Sequence, residues 1–309
     1  MANAIPLLEG TAASGGYLVP DEFVQNAFQR GIDRQSAVAS LAPVRRVNGK
    51  KTQLTEYVGR PTAAFVAEGA AKTATGAEYA QVTLDIKKIA AIVMYTEELI
   101  EDAQDDPTVL INQDVRAAFA DLIDSHALGR NAAGVITGQF NSELSETSQT
   151  VELGTTGDAL ARAVSSAMAT IEGNGYTPNG AILANDGRAH LRDARGTGDN
   201  AYTPIYSDGF TQPQPGLYGI PLRFTTNLQT FAGSATTGRV VGIVGDFNQA
   251  LFGIRNEIRV KFSDQATVDV SGTKHDLWQQ NKVASLWEAR VGFVAHDLNR
   301  AFVAIINAA

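Results

Sequence analysis

The run NKVASLWEARVGF, residues 281–293, decides how the rest of the chain is read. Its apolar residues and its flanks give it the pattern of a strand near the end of the chain. Glu288 and Arg290 lie inside it, two positions apart, and so on one face of that strand. A carboxylate and a guanidinium among apolar neighbours need partners, because an unpaired charge in an apolar site is costly. The strand is therefore either a sheet element that forms ion pairs or part of a site that uses the charges chemically.

Strands dominate around this run. LFGIRNEIRVKF (251–262) precedes it and AFVAII (301–306) follows it. Farther back, GIPLRFT (219–225) and RVVGIVGDF (239–247) read as strands, and GAILAN (180–185) reads as a buried one. Asp158 caps a helix carrying Leu160, Val164, Ala167, Met168 and Ile171, which Gly173 ends. DGRAHLRDA (186–194) predicts a short helix. Helix, strand and helix in succession imply an α/β layer.

A longer helix lies upstream. Thr96 can cap EELIEDA, and Asp105-Asp106-Pro107 opens the next helix, with proline in the first turn and carboxylates at its positive end. Ile111, Val115, Phe119 (or Ala118), Leu122 and Ile123 follow helical spacing to a stop at Gly129. About 20 residues at 1.5 Å each make a rod of about 30 Å, long enough to be a spine. Residues 50–58 and 78–95 alternate like strands, with Val82, Leu84 and Ile86 on one face. Between them lies GRPTAAFVAEGAAKTATGAEY (59–79), so the segment reads as a long hairpin with an elaborate tip. Such a hairpin is marginal alone and needs another surface. The first 20 residues cannot fold by themselves, and a short helix is expected over 21–31. The stretch 196–216, with three prolines, reads as a long exposed loop.

Composition narrows the function. The chain has 309 residues, of which 44% are hydrophobic, and a net charge of −8, so it can bury a core and offers no polybasic block for nucleic acid. It has no cysteine, which excludes disulfides and thiolate metal sites. No run approaches the roughly 20 apolar residues that span a bilayer, and the expected setting is soluble and cytoplasmic. Phosphate-loop, dinucleotide, zinc-protease and nucleophile-elbow motifs do not occur. His126, His190, His275 and His296 are scattered singly, and no cofactor or metal is expected. The fold class is α+β. Arm, hairpin and loop all favour assembly.

Six stretches in order extend this reading: SGGYLVPDEF (14–23), FVAEGAAK (65–72), YTEELIEDA (95–103), LYGIPL (217–222), GDF (245–247) and WEARVGFVAHDLNRAFV (287–303). Together they resemble the major capsid proteins of tailed bacteriophages, the HK97 fold family. The resemblance implies an N-terminal arm over 1–40 and an extended hairpin loop over 41–95. It implies a peripheral domain over 96–150, with the spine helix, completed by strands over 251–290. An axial domain would take 151–250 and the final strand, 291–309. Pentamers and hexamers of such subunits would close an icosahedral shell around double-stranded DNA in the virion, assembled in the bacterial host. The implied partners are further copies of the chain, a portal protein, and separate scaffolding and decoration proteins. Many members carry a scaffolding segment ahead of the arm. Here Met1 stands just before the arm motif; if it is the translation start, scaffolding is expected to be a separate protein or absent, whereas a processed chain would leave the methionine unexplained. Two alternatives remain at this stage: an encapsulin shell enclosing enzymes, and a soluble enzyme of unrecognised type.

The resemblance also proposes roles. Gly15 and Gly16 would permit a sharp turn in the arm, and Tyr17, Leu18 and Val19 would anchor it by burial. Some shells of this family cross-link themselves: a loop lysine attacks an asparagine of another subunit while a glutamate takes the proton. Lys72, Asn281 and Glu288 match that pattern. A neutral lysine at pH 7 costs about 4.6 kcal/mol, so an apolar pocket is expected, one that raises the glutamate's pKa and that Leu286, Trp287 and Phe293 could help build. The structural reading instead puts Glu288 and Arg290 in ion pairs, with Asn281 and Lys72 as ordinary polar residues.

Overall fold

The computed structural model describes residues 36–59, 61–72, 74–102, 107–131, 134–135, 138–154, 158–193, 216–228, 239–255, 259–270 and 272–307. The expected arm anchors Gly15, Gly16, Tyr17, Leu18 and Val19 lie outside these residues. So do the helix expected over 21–31, the Asp105-Asp106 opening, and all of the 196–216 loop except Gly216. The chain divides into two units. Among described residues, one takes those up to Ser40 with Lys88–Asp124 and Arg255–Arg290. The other takes Leu41–Lys87, Ser125–Ile254 and Val291–Ala309.

The second unit is built on a six-stranded sheet. Its order is Thr150–Leu153, Phe302–Asn307, Val240–Gly245, Gly180–Ala184, Ile220–Thr225 and Gly216–Leu217. Val240–Gly245 runs antiparallel to both neighbours, while Ile220–Thr225 is parallel to Gly180–Ala184. Every residue of Gly180–Ala184 and of Val240–Gly245 is buried, as continuous apolar runs require. The helix Ala159–Gly173 buries Leu160, Val164, Ala167 and Ile171, spaced four, three and four apart along one stripe. Phe247 and Phe302 meet edge to face at 5.4 Å. Gly245 permits this packing, because a Cβ there would lie 2.2 Å from the Phe302 ring.

The same unit holds the hairpin. Lys51–Gly59 pairs antiparallel with Glu78–Asp85, from Lys51 opposite Asp85 to Gly59 opposite Glu78. The run 78–95, expected as one hairpin strand, breaks at Ile86. Ile86 is buried and donates its N–H to Lys50 O at 2.9 Å, and a new strand, Lys87–Thr96, begins in another sheet. At the hairpin base Leu84 and Ile86 pack with Val47 and Val294.

The long helix Pro107–Leu128, whose residues up to Asp124 belong to the first unit, stops at Gly129, which takes the left-handed conformation at φ 70°. Val115, Phe119 and Ile123 are buried as the spacing predicts. Phe119, not Ala118, takes the stripe position. Leu122, expected on the stripe, is 40% exposed, because Ala120 and Ile123 already fill the buried arc.

The long strand Lys282–Ala295 contains all of the run NKVASLWEARVGF except Asn281. Its Ala284–Glu288 portion pairs antiparallel with Arg259–Ser263, and Lys87–Thr96 pairs with the same strand. Beyond Arg290, Val291–Ala295 pairs with Ala250–Ile254. Gly292 is required there, because a Cβ would sit 2.5 Å from the Asp85 carbonyl oxygen.

Candidate functional site

The long strand separates its charges from its aromatics by simple alternation. Trp287 and Ala289 are buried on one face, whereas Leu286, Glu288 and Arg290 are half-buried on the other. Trp287 donates its indole N–H to Ser285 Oγ at 3.1 Å. It therefore does not help enclose Glu288, contrary to the expected pocket.

Glu288 is ion-paired with Lys88 of the neighbouring strand. The Lys88 ammonium donates to it and holds its carboxyl below the ordinary carboxylate range, and the fields of Lys88, Lys261 and Arg290 act the same way. The expected raised glutamate is corrected here. In the subunit Glu288 sits among cations on a half-open face, and its direct partner is Lys88 rather than Arg290. Arg290 is half-buried, not buried, and acts on Glu288 through its field.

Asn281 closes the turn before the strand in the left-handed conformation, φ 46° and ψ 50°, which asparagine tolerates. Its carbonyl accepts the Glu97 N–H at 2.9 Å, its residue is exposed, and its side chain is open to solvent. Lys72 lies in the hairpin tip, where every described residue from 61 to 79 is exposed. Glu288, in the middle of the strand, and Asn281, just before it, thus stand in one unit, and Lys72 stands in the other.

Two carboxyl sites escaped sequence reasoning. Asp124, on the long helix, is buried and accepts hydrogen bonds from Ser36 Oγ at 2.5 Å, Ala37 N at 2.8 Å and Val38 N at 3.1 Å. Ser36 Oγ in turn accepts from Ala39 N at 3.0 Å, so a helical turn is clasped to the helix from outside. Burial outweighs the three donors and pushes Asp124 up to about 6, with the Asp121 charge adding to it. The contact spans 88 positions, and no local pattern announces it. In the other unit, Glu143 accepts from the Gly138 N–H, and burial raises its carboxyl. A Cβ at Gly129 or Gly138 would strike its side chain. Both sites are structural. Among the described residues no group of three His, Cys, Asp or Glu could hold a metal, and no helix is long and apolar enough to cross a membrane.

A family model described as "Phage capsid family" matches residues 15–305. A curated relative, "Probable major capsid protein gp17" of Mycobacterium phage D29, is 23% identical over 94% of this chain and 90% of its own length. A solved chain of Microbacterium phage Oxtober96 superposes with a TM-score of 0.70 at 23% identity, covering 88% of this chain and 91% of that one. The "Capsid of native GTA particle computed with C5 symmetry" gives 0.61 at 17% identity, over 98% of this chain and 100% of that chain.

Proposed function

This chain belongs to the phage capsid family, and we propose from that premise that it is the major capsid protein of a tailed phage. Copies of it assemble as pentamers and hexamers into an icosahedral shell around double-stranded DNA. The observation that carries the reading is the family match over nearly the whole chain, residues 15–305. The hairpin supports it: every described residue of its tip from 61 to 79 is exposed, and two strands do not stand alone in water. The finer assignments follow the fold family. Residues 1–40 act as the arm and 41–95 as the extended loop. The peripheral domain takes 96–150 and 251–290, and the axial domain 151–250 and 291–309. A portal and any scaffolding or decoration proteins join the shell, which assembles in the host cytoplasm. The arm residues Gly15, Gly16, Tyr17 and Leu18 then serve as its turn and anchor.

Glu288 serves the shell structurally. Its pairing with Lys88 supports this role over that of a base toward Lys72 and Asn281, because a carboxylate held below its ordinary range is a weaker base. The full chain, expressed and imaged by electron microscopy, should yield closed particles. A stable 32.8-kDa monomer under every condition would end the shell reading. Particles filled with a protein cargo instead of DNA would end the phage reading.

A further inference from the structure

Asparagine stands directly before glycine three times in this chain, at Asn48-Gly49, Asn174-Gly175 and Asn179-Gly180. Glycine has no side chain to shield its amide nitrogen. That nitrogen can therefore reach Cγ of the preceding asparagine and attack it, a reaction that proximity favours. The fold treats the three pairs differently. Asn179 is held: its Oδ1 accepts the Phe247 N–H at 2.7 Å, and Gly180 is buried in the six-stranded sheet opposite Gly245. Asn174 is held as well. Its Nδ2 donates to Arg300 O at 3.1 Å, and the Arg300 guanidinium donates to Asn174 O at 3.0 Å. The Gly175 N–H, the group that would attack, donates to Glu172 O at 2.9 Å. Reaction at either pair must first break these bonds.

Asn48-Gly49 has no such restraint. It lies in the bend between Val44–Val47 and Lys51–Gly59, and both residues are exposed. Among the described residues, neither the Asn48 side chain nor the Gly49 N–H has a hydrogen-bond partner. Arg45, Arg46, Lys50 and Lys51 flank the pair, all exposed. Lys51 faces Asp85 at 3.7 Å, and the other three have no carboxylate partner among the described residues. Their field favours the step that puts negative charge on the attacking nitrogen. We infer that Asn48 is a site of spontaneous deamidation, a slow charge-changing mark at the base of the hairpin. The Gly49 nitrogen gives its proton to hydroxide and bonds to Cγ of Asn48. The Cγ–Nδ2 bond breaks, and ammonia leaves with a proton taken from water, which restores the hydroxide. Water then opens the cyclic imide at either carbonyl and leaves aspartate or isoaspartate. No oxidant or reductant takes part. The product sets a carboxylate among the four cations. Isoaspartate also lengthens the backbone beside Val47, which packs with Leu84 and Ile86, and close to Lys50, whose carbonyl holds the Ile86 N–H. The inference stands on the subunit alone and does not need the shell reading.

The test ages the full chain in mildly alkaline buffer and digests it in mildly acidic buffer, which stops further reaction. Mass spectrometry then reads amide against acid at each asparagine, with chromatography separating aspartate from isoaspartate. Asn48 should convert at least tenfold faster than Asn174 and Asn179 and should give both products. In urea, which removes the bonds that hold the other two pairs, all three should convert at comparable rates. Gly49→Ala should slow Asn48 at least tenfold and leave the other two unchanged, because the added methyl hinders the attacking nitrogen. The fold has room for it: that Cβ would meet Lys51 O at 3.1 Å. Three outcomes overturn the inference: Asn48 keeping its amide in the folded chain while it converts in urea, equal rates at the three sites in the folded chain, or aspartate formed with no isoaspartate. The parent chain alone decides among them should Gly49→Ala fail to fold, and it does so whether or not particles form.

Discussion

The six-stranded sheet and the hairpin lie in the same unit and differ in where their stability comes from. The sheet's central strand Val240–Gly245 is buried at every position, with a helix stripe covering it. Along the hairpin strand Glu78–Asp85, burial fades from Leu84, fully buried at the base, to Tyr79, 64% exposed toward the tip. Both have the backbone pairing of good sheets. One is completed by side chains of its own subunit, and along the other the described residues become more exposed away from the base. The contrast separates residues that hold the subunit together from residues available to hold subunits to one another.

The largest expected effect tests the hairpin side. Replacing residues 61–77 with a short glycine turn should abolish closed particles in electron microscopy. The remaining subunit should unfold within about 2 °C of the parent, because every described residue removed is exposed. Particles of normal yield would break the comparison. On the other side, Phe302→Ala removes a fully buried ring packed edge to face on Phe247. It should cost about 3–5 kcal/mol in urea unfolding of the subunit. A loss under about 1 kcal/mol would mean that the sheet does not carry the subunit's stability.

Legibility in the sequence follows the same division. Continuous apolar runs such as GAILA and VVGIVG are strands wherever they are buried on both faces, and the stripe Leu160, Val164, Ala167, Ile171 is a helix for the same local reason. The break at Ile86 left only a faint mark in the sequence. Alternation over 78–86 stops at the adjacent Lys87 and Lys88, and 89–95 is a continuous apolar run; what ends the hairpin strand is tertiary, the burial of Ile86 and its bond to Lys50 O. The clasp on Asp124 joins residues 88 positions apart, so neither partner marks the other. At the candidate site, alternation in WEAR correctly put Glu288 and Arg290 on one face. The cation that binds Glu288 is Lys88, 200 positions earlier in the chain and on another strand.

Asp124 sharpens the comparison through pH. Its carboxyl is pushed up from 3.8 to about 6, chiefly by burial. The folded chain therefore binds a proton between about pH 4 and 6 that the unfolded chain releases. By linkage, this group's contribution to stability grows as pH falls from about 6 toward 4, and it is constant above 6. Two pK units correspond to roughly 3 kcal/mol. The gap in urea stability between the parent and Asp124→Asn should widen in the parent's favour by about 2 kcal/mol from pH 7 to pH 4.5, the rest of the shift lying below that pH. Glu288, held low by Lys88, works with the opposite sign. Its contribution is present above the ordinary carboxylate value and is lost as pH falls through the folded one. A gap that is flat with pH would mean that Asp124 is not the buried acid described.

The smallest effect concerns the pair that answers the opening pattern. Lys88 is half-exposed and Glu288 mostly covered, and exposed ion pairs contribute little to folding. Lys88→Ala should leave the subunit's unfolding midpoint nearly unchanged. It should still move the Glu288 titration upward, toward the ordinary range, because the hydrogen bond that lowers it is gone. Carboxyl-carbon NMR reads this directly. The same variant separates the two roles of Glu288. If the residue only pairs charges, boiled parent particles run as a single 32.8-kDa band, and Lys88→Ala particles do the same. If Glu288 takes the proton from Lys72 of another copy, the parent gives a ladder that disappears in Lys72→Ala and in Glu288→Gln. Lys88→Ala would then strengthen the ladder, because a carboxylate released from its ammonium partner is the better base. The alternation that keeps Trp287 away from Glu288, and the cations that take its place, favour the single band.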